Sequence, residues 1–426
     1  MTIEGEVVPW PPIVGRVKDF VVRLVRGVLL RTVRAPAAED GERRLIIVLW
    51  TAWNMGGTIR AAFNLAEYMQ ARGWQVEIIS GYRDRDEPFF GAFPAGVPVY
   101  DLDDRRKHGL VRRLLRKRPS HLMPAADRAS TGFSLWTDIQ LVRRLRGRAG
   151  FLVGTRPGVN AMLARLEVPG LTTIGLEQMN LSKHGRILRR SIRAYYPKLD
   201  ALVVLTEQDR EAYRELLDDG LPLYRIPNTV RPLPGAKADL EAKTVYAAGR
   251  FRYQKGFELL IPAWAQTAKA HPDWRLRLRG RGHLESRYRG LIEQHGLEDS
   301  VTIEGPAEDI GADMAESAVF VLSSRFEGFP LILLEAMSKG MGVVSFDCPT
   351  GPADIVDDHR NGLLVPHEDI EGLGRAIREI VEDEELRRRM AGAAVETAQE
   401  YTIEAIGPLW EELFGELSRE PRSPPA

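Results

Sequence analysis

Two glutamates, Glu327 and Glu335, bracket an apolar run in the stretch SSRFEGFPLILLEAMSKG, residues 323–340. A carboxylate set in so apolar a segment costs desolvation free energy unless a donor binds it. Sugar hydroxyls are suitable donors. Between the two acids, Gly328, Phe329 and Pro330 form a turn, and the helical pattern starts at Leu331. A helix start offers free backbone N–H groups and the positive end of the helix dipole, a natural seat for phosphate. One segment could therefore present N–H groups to a diphosphate and carboxylates to two sugars. The plainer alternatives are a helix-capping role for Glu327 and an exposed helix face for Glu335.

Positioning such a segment is the work of alternating strands and helices. RLIIVLW (44–50) is a continuous apolar run, as expected of a strand buried on both faces of a parallel sheet. The loop TAWNMGG and the helical stretch TIRAAFNLAEYMQARG follow, and WQVEIIS is the next strand, which completes a βαβ unit. Further strands are predicted at 150–155, 171–177 and 201–206. Residues 101–148 are less regular. Their basic run with interleaved Leu and Val reads either as a surface helix or as a partly mobile segment. IPNTVRPLPGAKADLEAK (226–243) holds three prolines and no periodicity, and reads as a linker. The βα pattern then restarts, with strands predicted at 244–249, 274–280, 300–305, 318–324, 341–347 and 362–366. Helices at about 369–382 and 384–400 and the stretch IEAIGPLWEELFGEL close the chain before a Pro/Ser-rich tail. The expected architecture is α/β: two doubly wound, Rossmann-like domains facing across a cleft, with ligands at the carboxyl ends of the strands. The expected boundaries are an amphipathic extension at 1–43, a first domain at 44–226, a second at 227–400, a C-terminal helix at 401–418 crossing back to the first domain, and a disordered tail at 419–426.

Composition narrows the function classes. The chain has 426 residues with equal numbers of basic and acidic side chains, but their distribution is uneven. Residues 1–226 hold 36 Lys and Arg against 25 Asp and Glu, so the first half is strongly basic and the second equally acidic. The basic half suits an anionic surface. A nucleic-acid role is disfavoured, because the basic stretches lack interleaved aromatics. Val14–Arg34 has apolar residues at helical spacing and arginines around them. It reads equally as a helix lying on a membrane and as one packed on the protein's own body. Arginines interrupt it too often for a signal peptide, and no stretch is apolar enough to span a bilayer. One cysteine, Cys348, excludes a disulfide framework and Cys-based zinc sites. No P-loop, metal-ligand cluster or Ser/His/Asp arrangement is present.

EGFPLILLEAM resembles the signature of the retaining family 4 glycosyltransferases of the GT-B fold. AAGRFRYQKGFELLIPAW is similar to that family's strand–Gly-Arg–loop–Lys-Gly–helix segment, and RIPN to its entry into the second domain. DCPTGPADIVDDHRNGLLVP and NMGGTIRAAFNLAEYMQARG also have counterparts there. The resemblance covers roughly residues 44–418. It implies a catalytic set of Arg250, Lys255 and Glu327, in which Arg250 and Lys255 hold the donor diphosphate and Glu327 clamps the donor sugar with the backbone of Gly328, Phe329 and Pro330. Leu331 would offer an N–H to phosphate, Glu335 would bind the ribose, and Asn228, Gly56 and Gly57 would line the donor site. One departure stands out. LEQMN places Gln178 where relatives carry a His near the reaction centre. Gln cannot titrate near neutrality, so a protonatable group is either dispensable or supplied elsewhere. His184 is a candidate, although a surface position suits it better.

The resulting expectation is a metal-independent retaining hexosyltransferase that uses a nucleoside diphosphate sugar, UDP- or GDP-linked, as co-substrate and no other cofactor. Its acceptor would be a cell-envelope or lipid-linked glycan, and its place the cytoplasm, peripheral to an anionic membrane. A nucleotide-sugar epimerase and a non-catalytic sugar-nucleotide binder are the alternatives.

Overall fold

The computed structural model describes residues 43–124, 127–217 and 220–419. The Val14–Arg34 segment lies outside them, as do residues 420–426 of the tail. The chain forms two compact units. One runs up to Ile226 and resumes at Gly407, and the other is Pro227–Ile406. The second unit extends past the expected limit at residue 400 because Tyr401 is anchored there. Its carbonyl accepts from Val230 N–H at 2.8 Å, and its hydroxyl donates to Asp354 O at 2.7 Å.

The first unit is built on a parallel sheet whose strands are β1 (Arg44–Leu49), β2 (Gln75–Ser80), β3 (Val99–Asp101), β4 (Gly150–Gly154), β5 (Leu171–Leu176), β6 (Ala201–Val204) and β7 (Leu223–Arg225). Their order is β3-β2-β1-β4-β5-β6-β7. β1 is central: Ile47 is in register with Ile78 on one side and Val153 on the other, and Leu45 to Val48 are fully buried. That burial on both faces explains the unbroken apolar run. β3 and β7 were not expected. Each has three residues, none buried, so no hydrophobic pattern announces them.

The second sheet comprises β8 (Thr244–Ala248), β9 (Arg275–Arg279), β10 (Val301–Glu304), β11 (Val319–Leu322), β12 (Gly342–Asp347) and β13 (Leu363–Pro366), ordered β10-β9-β8-β11-β12-β13 and parallel throughout. Both sheets therefore reverse their strand order once, between β1 and β4 and between β8 and β11. Such a reversal opens a crevice at the carboxyl ends of the strands, where α/β sheets bind ligands. The proline-rich stretch after Ile226 has no regular element, as expected, but it is tied down. Ala238 N–H bonds Lys339 O at 2.8 Å, and the Lys339 ammonium bonds Pro234 O at 3.0 Å. The last helix is Ile403–Arg419, so Arg419, assigned to the tail, is helical. No helix among the described residues is long and apolar enough to cross a membrane.

A buried polar cluster closes the first unit behind β5. Glu177 accepts from Asn160 Nδ2 at 2.8 Å and from the Tyr196 hydroxyl. His184, expected at the surface, is buried with Nε2 3.7 Å from Glu177 Oε2. Its polar surroundings NLSKHGR look like loop, and its burial beside Glu177 leaves no mark in local sequence. Asp209 accepts from Leu181 N–H at 3.0 Å and from Thr206 Oγ1 at 3.4 Å. Burial, reinforced by the nearby Glu177 charge, pushes the Asp209 carboxyl up to about 6.

That shift has a definite sign. The unfolded chain ionises Asp209 near pH 4, whereas the folded unit resists until about pH 6. Its contribution to stability is therefore present in full at low pH and lost as pH rises through 6, by up to about 3 kcal/mol. Asp209→Asn is expected to remove this loss. Urea midpoints measured at pH 4.5 and 7 should fall with pH more steeply in the wild type than in the variant, and parallel curves would place the cause elsewhere.

Candidate active site

The loops after β8 and β11 flank the reversal of the second sheet, and the sequence places Arg250, Lys255 and Glu327 on them. β8 runs into Gly249 and Arg250, a tight turn covers Tyr253–Lys255, and the helix Phe257–Ala270 begins after Gly256. Two glycines sit at close approaches, and the second is required. A Cβ on Gly249 would lie 3.0–3.1 Å from the Cγ, Cδ and Cε atoms of Lys255, because the lysine stem folds back over that residue. Gly256 has φ +61°, and a Cβ there would meet Ser323 O at 2.1 Å. The Gly-Arg and Lys-Gly pairs thus bring the lysine across the end of β8 and against the end of β11. Buried Phe251 anchors the loop between them, its ring edge-on to Phe257 and Tyr288.

Lys255 and Glu327 meet directly. Lys255 Nζ donates to Glu327 Oε1 at 2.7 Å, and the side chains are only 15% and 9% exposed. Ser324 Oγ donates to the same oxygen at 2.6 Å, and Gln254 Nε2 reaches Oε2 at 3.4 Å. Glu327 is therefore not a helix cap: it is the counter-ion of a nearly buried lysine. Arg250 differs. Its residue is exposed, and its guanidinium makes no ion pair among the described residues.

The Leu331–Lys339 helix starts after Pro330 without a side-chain cap. Glu335 is buried in its second turn, which removes the exposed-face alternative. Leu331 departs from the expectation that it offers a phosphate its N–H, since that group donates to Phe329 O at 2.9 Å. The cause is the tight turn at Pro330, which folds the amide back onto the preceding carbonyl. Phe329 is buried and 5.6 Å from the Tyr401 ring, and the following loop packs close, since a Cβ on Gly351 would meet Pro330 Cδ at 2.7 Å. Asn228 is buried in the same unit.

Arg325 was missed, although it lies inside the stretch that drew attention first. It donates to Tyr253 O at 2.9 Å, Glu258 Oε1 at 2.7 Å and Glu368 Oε1 at 2.6 Å, and its guanidinium lies 4.1 Å from the Tyr253 ring centre. Its own N–H bonds Gln254 O at 2.8 Å. Arg325 thus fixes the turn that carries Lys255. Its partners are distant in sequence, so no local motif marks it.

The remaining candidates belong to the first unit. Gly56 precedes the helix Gly57–Ala71 in extended backbone, and a Cβ there would meet nothing within 4 Å. Packing does not demand glycine at that position. Gln178 directly follows Glu177 after β5 and is buried beside the polar cluster.

Residues 235–397 match the family model for glycosyl transferases group 1, and residues 56–229 match that for a glycosyl transferase 4-like domain. The chain is 34% identical over 381 residues to an exopolysaccharide phosphotransferase of Streptomyces coelicolor, covering 85% of this chain but 40% of that protein, less than half its length. It is 24% identical over 380 residues to the amylovoran biosynthesis glycosyltransferase AmsD of Erwinia amylovora, covering 87% and 99% of the two chains. The fold matches that of S. aureus TarM, crystallised as a mutant with UDP, alpha-GlcNAc-glycerol and Fondaparinux, with a TM-score of 0.71 and 16% identity over 87% and 99% of the chains. On these matches and on its two parallel sheets, the chain belongs to the GT-B glycosyltransferases of family 4, the glycosyl transferases group 1.

Proposed function

We propose that the protein is a retaining, metal-independent hexosyltransferase that moves a sugar from a nucleoside diphosphate sugar, UDP- or GDP-linked, to a cell-envelope or lipid-linked glycan. The observation that carries this reading is the pairing of Lys255 with Glu327 at the reversal of the second sheet, with Arg250 on the same loop and Glu335 buried in the adjoining helix. The pair is a charge-balanced resting state. A diphosphate entering beside Arg250 competes with Glu327 for the lysine ammonium. The carboxylate released from that bond then accepts from donor-sugar hydroxyls. Arg250 and Lys255 stabilise the charge that grows on the departing diphosphate, the task a metal performs in other enzymes. Glu335 accepts from the ribose. The UDP in the TarM complex and the polysaccharide roles in the relatives' names support the donor and acceptor classes.

Gln178 favours a second reading, a protein that binds sugar nucleotides without turning them over, because an amide cannot supply a proton where relatives use His. Release of free nucleoside diphosphate from a donor and acceptor panel separates the two, and an epimerase would release none at steady state. The basic first half supports a position at the cytoplasmic face of an anionic membrane, where such acceptors are presented.

Glu335→Ala is expected to weaken UDP or GDP binding by about 1–3 kcal/mol, the loss of a buried acceptor. Titration calorimetry measures this, and unchanged affinity removes Glu335 from the nucleotide site. Arg250→Ala and Lys255→Ala should both lower donor turnover, but with different effects on folding. Arg250 has no ion pair to lose among the described residues, so its variant should melt like the wild type. Lys255→Ala strands a nearly buried carboxylate and should cost up to about 3 kcal/mol of stability. Arg325→Lys keeps the charge but not the fork that reaches three acceptors. It should raise KM for the donor more than it disturbs melting, and a wild-type KM would show that the turn holds without it.

A further inference from the structure

The helix Leu110–Arg116 is inside out. None of its residues is buried, and Leu110, Val111 and Leu114 are 76%, 64% and 58% exposed. Its inward side is charged. Arg116 Nε lies 2.9 Å from Oδ2 of the buried Asp103, Arg112 Nη1 donates to Asp104 O at 3.1 Å, and the Arg112 guanidinium lies 5.0 Å from the Trp136 ring centre. Residues 112 and 116 share one face of a helix at 100° per residue, and Leu114 then projects from the opposite face with Leu110 and Val111 beside it. A surface helix ordinarily does the reverse, turning its apolar stripe to the core. Here the salt bridges fix the rotation and leave the apolar stripe in water.

Charge around the stripe is of one sign. Arg113, Lys117 and Arg118 are exposed and form no ion pair among the described residues. No acidic residue occurs between Asp104 and Asp127, and both Asp103 and Asp104 are held on the inner side. A protein partner with mixed charge and deep side-chain anchors fits this surface poorly. A planar anionic surface fits it well: three aliphatic side chains enter the headgroup–acyl boundary while the flanking guanidinium and ammonium groups meet lipid phosphates.

We propose that the Leu110–Arg116 helix, with Arg113, Lys117 and Arg118, is a docking element for anionic phospholipid. The proposal deepens the membrane placement given above. Contact is peripheral and reversible, because three aliphatic side chains and a few cations hold a protein only while salt screening is modest.

The test uses the full chain and vesicles of phosphatidylcholine with or without about one third phosphatidylglycerol. Leu110→Ser/Leu114→Ser and Arg113→Glu/Lys117→Glu are each expected to lower the fraction sedimenting with anionic vesicles at least about tenfold, with UDP and GDP affinity unchanged. Because the single native cysteine, Cys348, is buried, Leu114→Cys takes an environment-sensitive fluorophore at one site. Its emission should shift to the blue with anionic vesicles and not with neutral ones. Wild-type sedimentation by both double variants, an unshifted label on sedimenting protein, or equal binding to neutral lipid would each overturn the proposal. Nucleotide affinity and donor turnover are read separately, so loss of lipid binding and loss of the transferase reading are distinguishable.

Discussion

A lysine and a glutamate that neutralise each other at the end of two strands set the terms for the second unit. Removing two charges from water is costly, and their mutual attraction offsets that cost only when geometry is good and the remaining lone pairs find donors. Lys255 and Glu327 meet these conditions through the Ser324 hydroxyl and the Gln254 amide. The geometry depends on glycine at 256, where a side chain would collide with the end of β11, and Gly249 lets the lysine stem lie close over the end of β8. It depends also on Arg325, which ties the turn's Tyr253 carbonyl to the carboxylates of Glu258 and Glu368. A small set of residues is therefore constrained by one ion pair, and their spacing in sequence is the trace of that constraint.

Much of this was legible before the fold was known, and what was not has physical reasons. Strands buried on both faces announce themselves as apolar runs, so β1, β11 and β12 were readable. β3 and β7 bury none of their three residues each and left no signal. The two glutamates stood out because acids are out of place in an apolar segment. Arg325 did not, since an arginine in a loop is unremarkable until Glu258 and Glu368 are known to converge on it. His184 was misjudged for a similar reason: its buried place beside Glu177 is adjacent in space but not in pattern. The basic run after residue 104 was open between a surface helix and a mobile segment, and the direction each helix face would point was not legible at all. That depended on the buried Asp103, which turns the arginines inward.

The last helix carries a consequence for biosynthesis. Phe414 packs in the first unit, its ring 5.0 Å from that of Trp74 and 4.6 Å from that of Phe151, while Glu411 accepts from the Tyr68 hydroxyl at 2.6 Å. Gly407 is there so that Tyr68 can approach, for a Cβ would sit 2.3 Å from its ring. Yet the whole of Pro227–Ile406 lies between these residues and the rest of their unit in the chain. On the ribosome, the second unit is thus synthesised in full before the first can bury Trp74 and Phe151 completely. The half made earliest is the half finished last. Its aromatic seam stays unfilled until Phe414 has been made, and a stop codon ahead of Gly407 would damage the first unit while leaving the residues of the ion pair intact.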